Sequence, residues 1–461
     1  MKRFLINKNI ALFVIGVLSS CTQVEDNEVV METIPNVSTN QAYIDSKKDK
    51  LDINDAQKVA ALFNSSIKNE KESTRSLNEQ DIIINTISDT ATGQPLLYVA
   101  NYGSDNGFAI ISGTKKTQPI FAYSQQGHIT EYNKDNTLSL FIEAYKNEVL
   151  NAINSNPESQ EKEHSIEWAI FERNLSETSE KTRSASDAEQ LKQQEIQKMT
   201  AQGYTYVGDI TTLQYYVSQS YYQQVLQNVA NNAHPDYDYQ SSTLFFIRYD
   251  EPYHIMPLIN VQWHQYSPFN EDTPNYLAGC VPIAVAQIMY YHKYPNIFNW
   301  SQIPSNPTTE NTSFITFIKD VRQKCAVTYL KDETKSDISK AKTAFESYGY
   351  SVTRYNSLNK TTMANSIINS KPIFLCGTNS NGKGHAWVCE GYKKTEYNAV
   401  LSMIPNKPLV RYTESPVDIS ARPNETFYMA FGQFLGKTNG WYSYNGSNYT
   451  SNQQCLIISK N

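Results

Sequence analysis

Apolar residues in the first third of the chain recur first at a helical and then at an extended period. Ala56, Val59, Ala60, Leu62 and Phe63 predict a helix over about 54–68, with Asn54 and Asp55 as N-terminal caps. Short apolar runs follow at 81–87, 96–102, 107–113 and 119–124, separated by Gly, Asn and Asp turns, and predict a small antiparallel sheet. Helix and meander together predict one α+β unit over 51–132. Two charged amphipathic segments, 136–155 and 186–202, bracket polar stretches that include SETSEKTRSASDAE. That stretch presents Lys181, Thr182 and Arg183 and is the best candidate for a cleavable linker. Residues 203–256 are rich in Tyr and Gln and follow neither period, so 133–256 reads as linker plus unassigned chain.

Beyond 257 the pattern opens on a helix that is apolar all round. In LAGCVPIAVAQIMYYHKYP (277–295), Val281, Ile283, Ala284, Val285, Ile288 and Met289 cover most of a helical circumference, which predicts burial. Its first residue is Cys280. Pro282 suits a first turn, where its missing N–H costs nothing, and Pro295 closes the segment. Helices are predicted around 313–322, 337–348 and 361–369. Strands follow at 372–377, 385–391, 399–404, 427–434, 440–445 and 453–459. Helices first and strands after make 257–461 an α+β domain.

Composition narrows the function classes. With 40% hydrophobic and 19% charged residues, the chain can bury real cores. A net charge of −6 and the absence of a basic run argue against nucleic acid as a partner. Residues 1–21 join Lys2, Arg3 and Lys8 to an apolar run from Ile10 to Leu18 and end in Ser19, Ser20 and Cys21, the form of a secretory signal. The run is too short for a membrane span, which needs roughly 20 apolar residues. Its final cysteine resembles the lipobox of bacterial lipoproteins, which implies a lipid on Cys21. The acidic TQVEDNE after it resembles the signal that exports lipoproteins to the surface of Gram-negative bacteria. These resemblances imply an envelope protein anchored to the membrane by lipid, with 22–50 as tether.

The remaining cysteines, Cys280, Cys325, Cys376, Cys389 and Cys455, form no CxxC pair and no metal spacing, so neither a zinc site nor a disulfide scaffold is supported. No cofactor or metal is expected. Cys280 differs from the others in standing at a helix N-terminus, where the partial positive charge favours thiolate. A thiol nucleophile needs a base, usually histidine. His292 lies twelve residues along the same helix, about 18 Å away at 1.5 Å per residue, and cannot reach it. His128 and His164 precede the linker; His234 and His254 lie in polar surroundings. His264 stands beside Gln265 without a strand to hold it. His385 opens the run HAWVCEG directly after the glycine-rich NSNGKG, where an imidazole can project from a sheet into a cleft.

WHQYSPFN (263–270), AGCVPIAVAQIMYYHKYP (278–295), SYGYS (347–351), KPIFLCG (371–377), GKGHAWVCEGY (382–392) and NGWY (439–442) together resemble the streptopain family of papain-like cysteine peptidases. YVANYGSDNGFAIISGTKKTQPIFAYS resembles that family's inhibitory propeptide. The resemblance implies a papain-like catalytic domain at 257–461, protein or peptide substrates, and the chain's own N-terminal domain as intramolecular inhibitor. It further implies Cys280 as nucleophile, His385 as general base and acid, and Gln265 as side-chain donor of the oxyanion hole.

One position departs from the family pattern. The family's Asn-Trp-Gly-Trp run, whose Asn orients the imidazole, aligns with Ala430, Phe431, Gly432 and Gln433. The orienter is absent at Ala430, and Asn439 and Gln433 are the polar residues at hand to replace it. Two further readings stay open: a peptidase fold with weakened or lost catalysis that serves as a surface binding or inhibitory protein, and transfer of the acyl group to an acceptor other than water.

Overall fold

The structure is a computed structural model that describes residues 49–67, 82–129, 138–155, 164–172, 187–232, 242–330, 333–379, 382–404, 414–417, 419, 424–432, 438–444 and 453–460. Cys21, the Lys181–Arg183 stretch and Gln433 lie outside these residues.

Helix α1 (Ile53–Ile67) begins where the Asp52 carboxylate accepts the N–H groups of Asn54 and Asp55, each at 2.9 Å. The cap is therefore Asp52, two residues ahead of Asn54 and three ahead of Asp55, the caps expected from sequence. Strands β1 (Ile82–Ser88), β2 (Pro95–Tyr102), β3 (Phe108–Ser112) and β4 (Ile120–Ser124) form an antiparallel meander. One face, with Tyr98, Ala100, Tyr102 and Ala109, packs on Val59, Ala60 and Phe63 of α1. The other, with Leu97, Val99, Phe108 and Phe121, packs on Phe141 and Tyr145 of α2 (Leu138–Asn154). Covering on both faces explains why these strands read as nearly unbroken apolar runs.

The described residues of the stretch that sequence left unassigned form helices and strands that join the same sheet system. Helices α3 (Ser165–Glu172) and α4 (Asp187–Thr200), strand β5 (Thr205–Asp209), helix α5 (Gln219–Asn232) and strand β6 (Thr243–Ile255) follow in order. α3 clasps two units. Trp168 and Phe171 join the α1 core and the Trp168 indole donates to the Thr117 carbonyl at 2.7 Å, while Ala169 packs with Ile210 and Leu213. α4 packs through Met199 on Leu244, Phe246 and Val400.

The C-terminal domain starts from α6 (Cys280–His292), which is flanked by α7 (Thr312–Lys324), the short strands β7 (Thr328–Tyr329) and β8 (Thr334–Lys335), and α8 (Ile338–Ser347). Then come β9 (Tyr350–Tyr355), α9 (Lys360–Ile368), β10 (Ile373–Thr378) and β11 (Gly384–Met403). β12 (Glu414–Val417), β13 (Asn424–Ala430), β14 (Gly440–Ser443) and β15 (Gln454–Lys460) complete the order. HAWVCEG and AVLSMI, expected as two strands, are halves of the single β11. The polar KKTEYN between them stays in the strand because Lys393 pairs with Glu251 of β6 at 2.7 Å and Lys394 with Glu396 at 2.5 Å. The first half of β11 pairs with β10 and β13, the second with β6, from Tyr392↔Ile255 to Met403↔Thr243 with a register shift between Lys394 and Glu396.

One sheet of 13 strands results, running β1-β2-β3-β4-β14-β13-β11-β10-β15-β9, with β6 and β12 branching from β11 and β5 from β6. The N-terminal meander is joined edge to edge with the C-terminal sheet by Tyr123↔Trp441 and Ala122↔Tyr442. Below this junction the Phe141 ring of α2 lies 5.6 Å from Phe431, 6.2 Å from Trp387 and 4.8 Å from Tyr442, centroid to centroid. A helix of the N-terminal unit thus supports the strands that carry the candidate site.

Candidate active site

Cys280 is the first residue of α6, and a run of small residues delivers it there. Gly279 holds φ at +95°, a conformation that side-chain-bearing residues rarely adopt. A Cβ on it would also stand 3.0 Å from the Thr334 methyl. The apolar circumference of α6 is buried, as its sequence predicts, against the Ala386–Val388 face of β11, Ala430 and helices α7 and α8. Cys280 packs against the cluster that contains Ala386 of β11, the residue after His385, and the nearby backbone N–H groups of Ala386 and Val281 favour its thiolate. Burial is the largest influence on this thiol and raises it above its ordinary value, outweighing those donors. The helix N-terminus alone predicts a shift toward thiolate; desolvation reverses the balance in this form of the chain.

His385 follows Gly384 at the start of β11, opposite Gly377 of β10. Its ring lies nearly parallel to that of Trp387, at an 8° interplanar angle and 6.3 Å. Nε2 lies 2.8 Å from the carbonyl oxygen of Phe431. A carbonyl can only accept, so Nε2 carries the proton and Nδ1 is the basic nitrogen. Burial lowers this imidazole to about 4, partly offset by the Phe431 carbonyl. With the thiol raised and the imidazole lowered, both groups favour their neutral forms near pH 7.

Ala430, where the family pattern has Asn, pairs with Val388 and buries its methyl against the α6 core. The chain turns out of β13 at Phe431 and Gly432, the latter at φ +64°, where a Cβ would meet Ile283 at 3.3 Å. This turn aims the Phe431 carbonyl at the imidazole. The Phe431 N–H in turn donates to Oδ1 of the buried Asn439 at 2.9 Å.

Gln265 is half-buried, and its carbonyl accepts the Ala278 N–H at 2.9 Å, which ties its loop two residues ahead of Cys280. Trp263 anchors the same loop: it is buried among Phe269, Tyr290, Phe314 and Phe317, and its indole donates to Ser305 O at 2.8 Å. His264 packs edge-on against Phe269 and is lowered by burial. The rest of the loop is clamped by further side chains, of which Asn270 belongs to the WHQYSPFN run and Arg322 and Thr334 carry no sequence signal. Asn270 donates to Tyr276 O at 2.8 Å and Thr334 to Leu277 O at 2.6 Å. Buried Arg322 of α7 pairs with Asp272 and donates to Thr273. Of the other cysteines, Cys325, Cys389 and Cys455 are buried. Cys376 is partly accessible on β10 opposite Ala386, and its thiol is pushed up to about 12 by burial and then by Cys280.

Glu390, fully buried on β11, accepts the Ile259 N–H at 2.6 Å and holds the segment that leads into Trp263 and Gln265. Burial raises its carboxyl to about 8 against an ordinary 4.5. The folded state therefore binds this proton more tightly than the unfolded chain, and its contribution to stability falls as pH rises from 4.5 through 8. Denaturant midpoints at pH 5 and pH 8.5 should fall with pH in the parent chain by the equivalent of a few kcal/mol. Glu390→Gln should remove most of that difference, and an unchanged difference would refute a neutral Glu390.

Comparisons with known proteins match two parts of the chain. Residues 47–149 match the Spi protease inhibitor family, and residues 263–298 and 296–404 match the peptidase C10 family. No curated protein matches the chain. Among solved structures, a fragment of prointerpain A from Prevotella intermedia, a cysteine-to-alanine mutant, aligns at 13% identity with a TM-score of 0.42, covering 81% of this chain and 98% of that one. With Cys280 and His385 both inside the matched region, residues 263–404 belong to the peptidase C10 family, and the chain sets a domain of the Spi protease inhibitor type ahead of this cysteine peptidase domain.

Proposed function

We propose that the chain is the zymogen of a lipid-anchored cysteine endopeptidase of the cell envelope, hydrolysing peptide bonds through a thioester on Cys280. The observation that carries this reading is Cys280 at the head of α6, packed on the β11 cluster of Ala386 and Val388, while His385 of the same strand has its Nε2–H held by the Phe431 carbonyl. In the reaction, His385 Nδ1 takes the Cys280 proton and the sulfur attacks the peptide carbonyl carbon. The oxyanion is received by the Cys280 N–H and the Gln265 side chain. The imidazolium then protonates the leaving amine, and water activated by His385 releases the acid. Lipid attachment at Cys21, export and surface location rest on the signal-like residues 1–21 and the acidic residues after them.

The inhibitor domain supplies latency through packing. β4 is zipped to β14 and α2 lies beneath Phe431 and Trp387, while burial raises the Cys280 thiol and lowers the His385 imidazole, which favours the neutral form of both. Its departure rehydrates the site and lets the ion pair form. The β6–β11 pairing and the α4 core support a mature enzyme that begins ahead of Asp187 and keeps α4, β5 and β6, so that α3 leaves with the inhibitor. The binding-protein reading rested on the lost Asn at Ala430. The Phe431 carbonyl in that role weakens it.

The test is hydrolysis of denatured casein by the processed enzyme. Gln265→Ala should lower kcat by about 10² to 10³-fold, roughly 2.7–4 kcal/mol of transition-state stabilisation, with little change in KM. Full activity in Gln265→Ala would remove Gln265 from the mechanism.

A further inference from the structure

We infer that Asn439 is the positioning residue of this active site, orienting His385 through the backbone of Phe431; the inference rests on the peptidase reading above. Two bonds in series carry it. Asn439 Oδ1 accepts the Phe431 N–H at 2.9 Å, and the carbonyl of the same residue lies 2.8 Å from His385 Nε2. Asn439 is 4% exposed and Phe431 1% exposed, so water does not compete readily for either bond.

Phe431 has left the sheet at this point, because β13 ends at Ala430 and the left-handed Gly432 follows. Ladder hydrogen bonds no longer hold its peptide groups. The Asn439 amide fixes the N–H side of the residue, while the ring is gripped by Trp387, Phe141 and Tyr442 at 6.1, 5.6 and 5.3 Å. With both ends held, the carbonyl keeps its aim at the imidazole. A side-chain amide thus acts at one remove, with a main-chain carbonyl as the atom that touches the histidine. The same geometry keeps the proton on Nε2 and Nδ1 basic, the tautomer a thiol nucleophile requires.

The variants follow from the atoms used. Asn439→Asp keeps an acceptor for the Phe431 N–H, Asn439→Leu keeps the volume without one, and Asn439→Ser is polar but too short to reach. The readouts are casein hydrolysis and the pH dependence of Cys280 alkylation by iodoacetamide in processed enzyme, beside wild type and His385→Ala. Asn439→Leu and Asn439→Ser should each lose about 10- to 100-fold in kcat, within the range a positioned acid–base group supplies, with KM nearly unchanged. The low-pH limb of alkylation should move to higher pH in both, because the imidazolium partner of the thiolate is less well held. Asn439→Asp should keep the wild-type limb.

A purely structural role lowers the unfolding midpoint but leaves that limb in place. Wild-type pH profiles in both Asn439→Leu and Asn439→Ser, or an Asp variant as impaired as Leu, would overturn the inference. If Leu does not fold, Ser decides the same question. Wild-type alkylation that is itself indifferent to His385→Ala would instead sink the peptidase reading on which all this rests.

Discussion

Cys280→Ala should leave a folded chain that neither cleaves casein nor processes itself. Cys280 is the N-terminal residue of a helix whose buried contacts come from Val281, Ile283, Ala284, Val285 and Ile288, so loss of one sulfur leaves the packing intact. Covalent catalysis, by contrast, has no substitute atom at that place. Removing the nucleophile of a comparable acyl-transfer enzyme costs on the order of 10⁶-fold in kcat. Incubating the variant with a trace of active enzyme should then yield a product whose N-terminus lies ahead of Asp187, because α4 and β6 are packed with β11. Intact-mass and N-terminal analysis read both results. Self-processing by Cys280→Ala would exclude Cys280 as the nucleophile, and a mature start beyond Ile255 would refute retention of the β6 unit.

His385→Ala should be nearly as severe, with a different signature. General base and general acid are lost together, which removes about 10²- to 10⁴-fold from each proton transfer. In processed wild-type enzyme, alkylation of Cys280 should persist well below the ordinary thiol range, because the imidazolium holds the thiolate as an ion pair. In His385→Ala it should follow the titration of an isolated thiol. The unprocessed chain gives the internal control. There, burial raises Cys280 and lowers His385, so labelling should be slow with or without His385. Rapid, His385-dependent labelling of the intact zymogen would show that the inhibitor domain does not suppress the pair by desolvation.

Residues whose roles come from local pattern were legible before any fold was known. α6 is apolar all round, and such a helix has no stable place except inside a core, so the burial of Val281 to Met289 behind Cys280 followed directly. The N-terminal meander was legible because its strands are short, apolar and punctuated by turns. β6 was not: it mixes aromatics with Arg248, Asp250 and Glu251, and its partner lies far downstream in β11. Nothing local states that Glu251 will be paired with Lys393. Nor could the sequence show a replacement for the Asn absent at Ala430, because the group that meets His385 is a main-chain carbonyl and every residue has one. Asn439 was visible only as a candidate; its bond to Phe431 depends on the turn at Gly432 and the return of the chain into β14.

Sequence by itself determined the α+β class, a cysteine at a helix N-terminus and a histidine at a strand start, and motif resemblance added the expectation of an inhibitor-like domain ahead of them. Local pattern and motif order are written in the chain. Tertiary structure alone decided the protonation balance of Cys280 and His385, the fusion of two sheets through β4 and β14, and the carbonyl that aims the imidazole. Each of those depends on desolvation or on which backbone groups meet across long separations, and neither quantity exists until the chain has closed on itself.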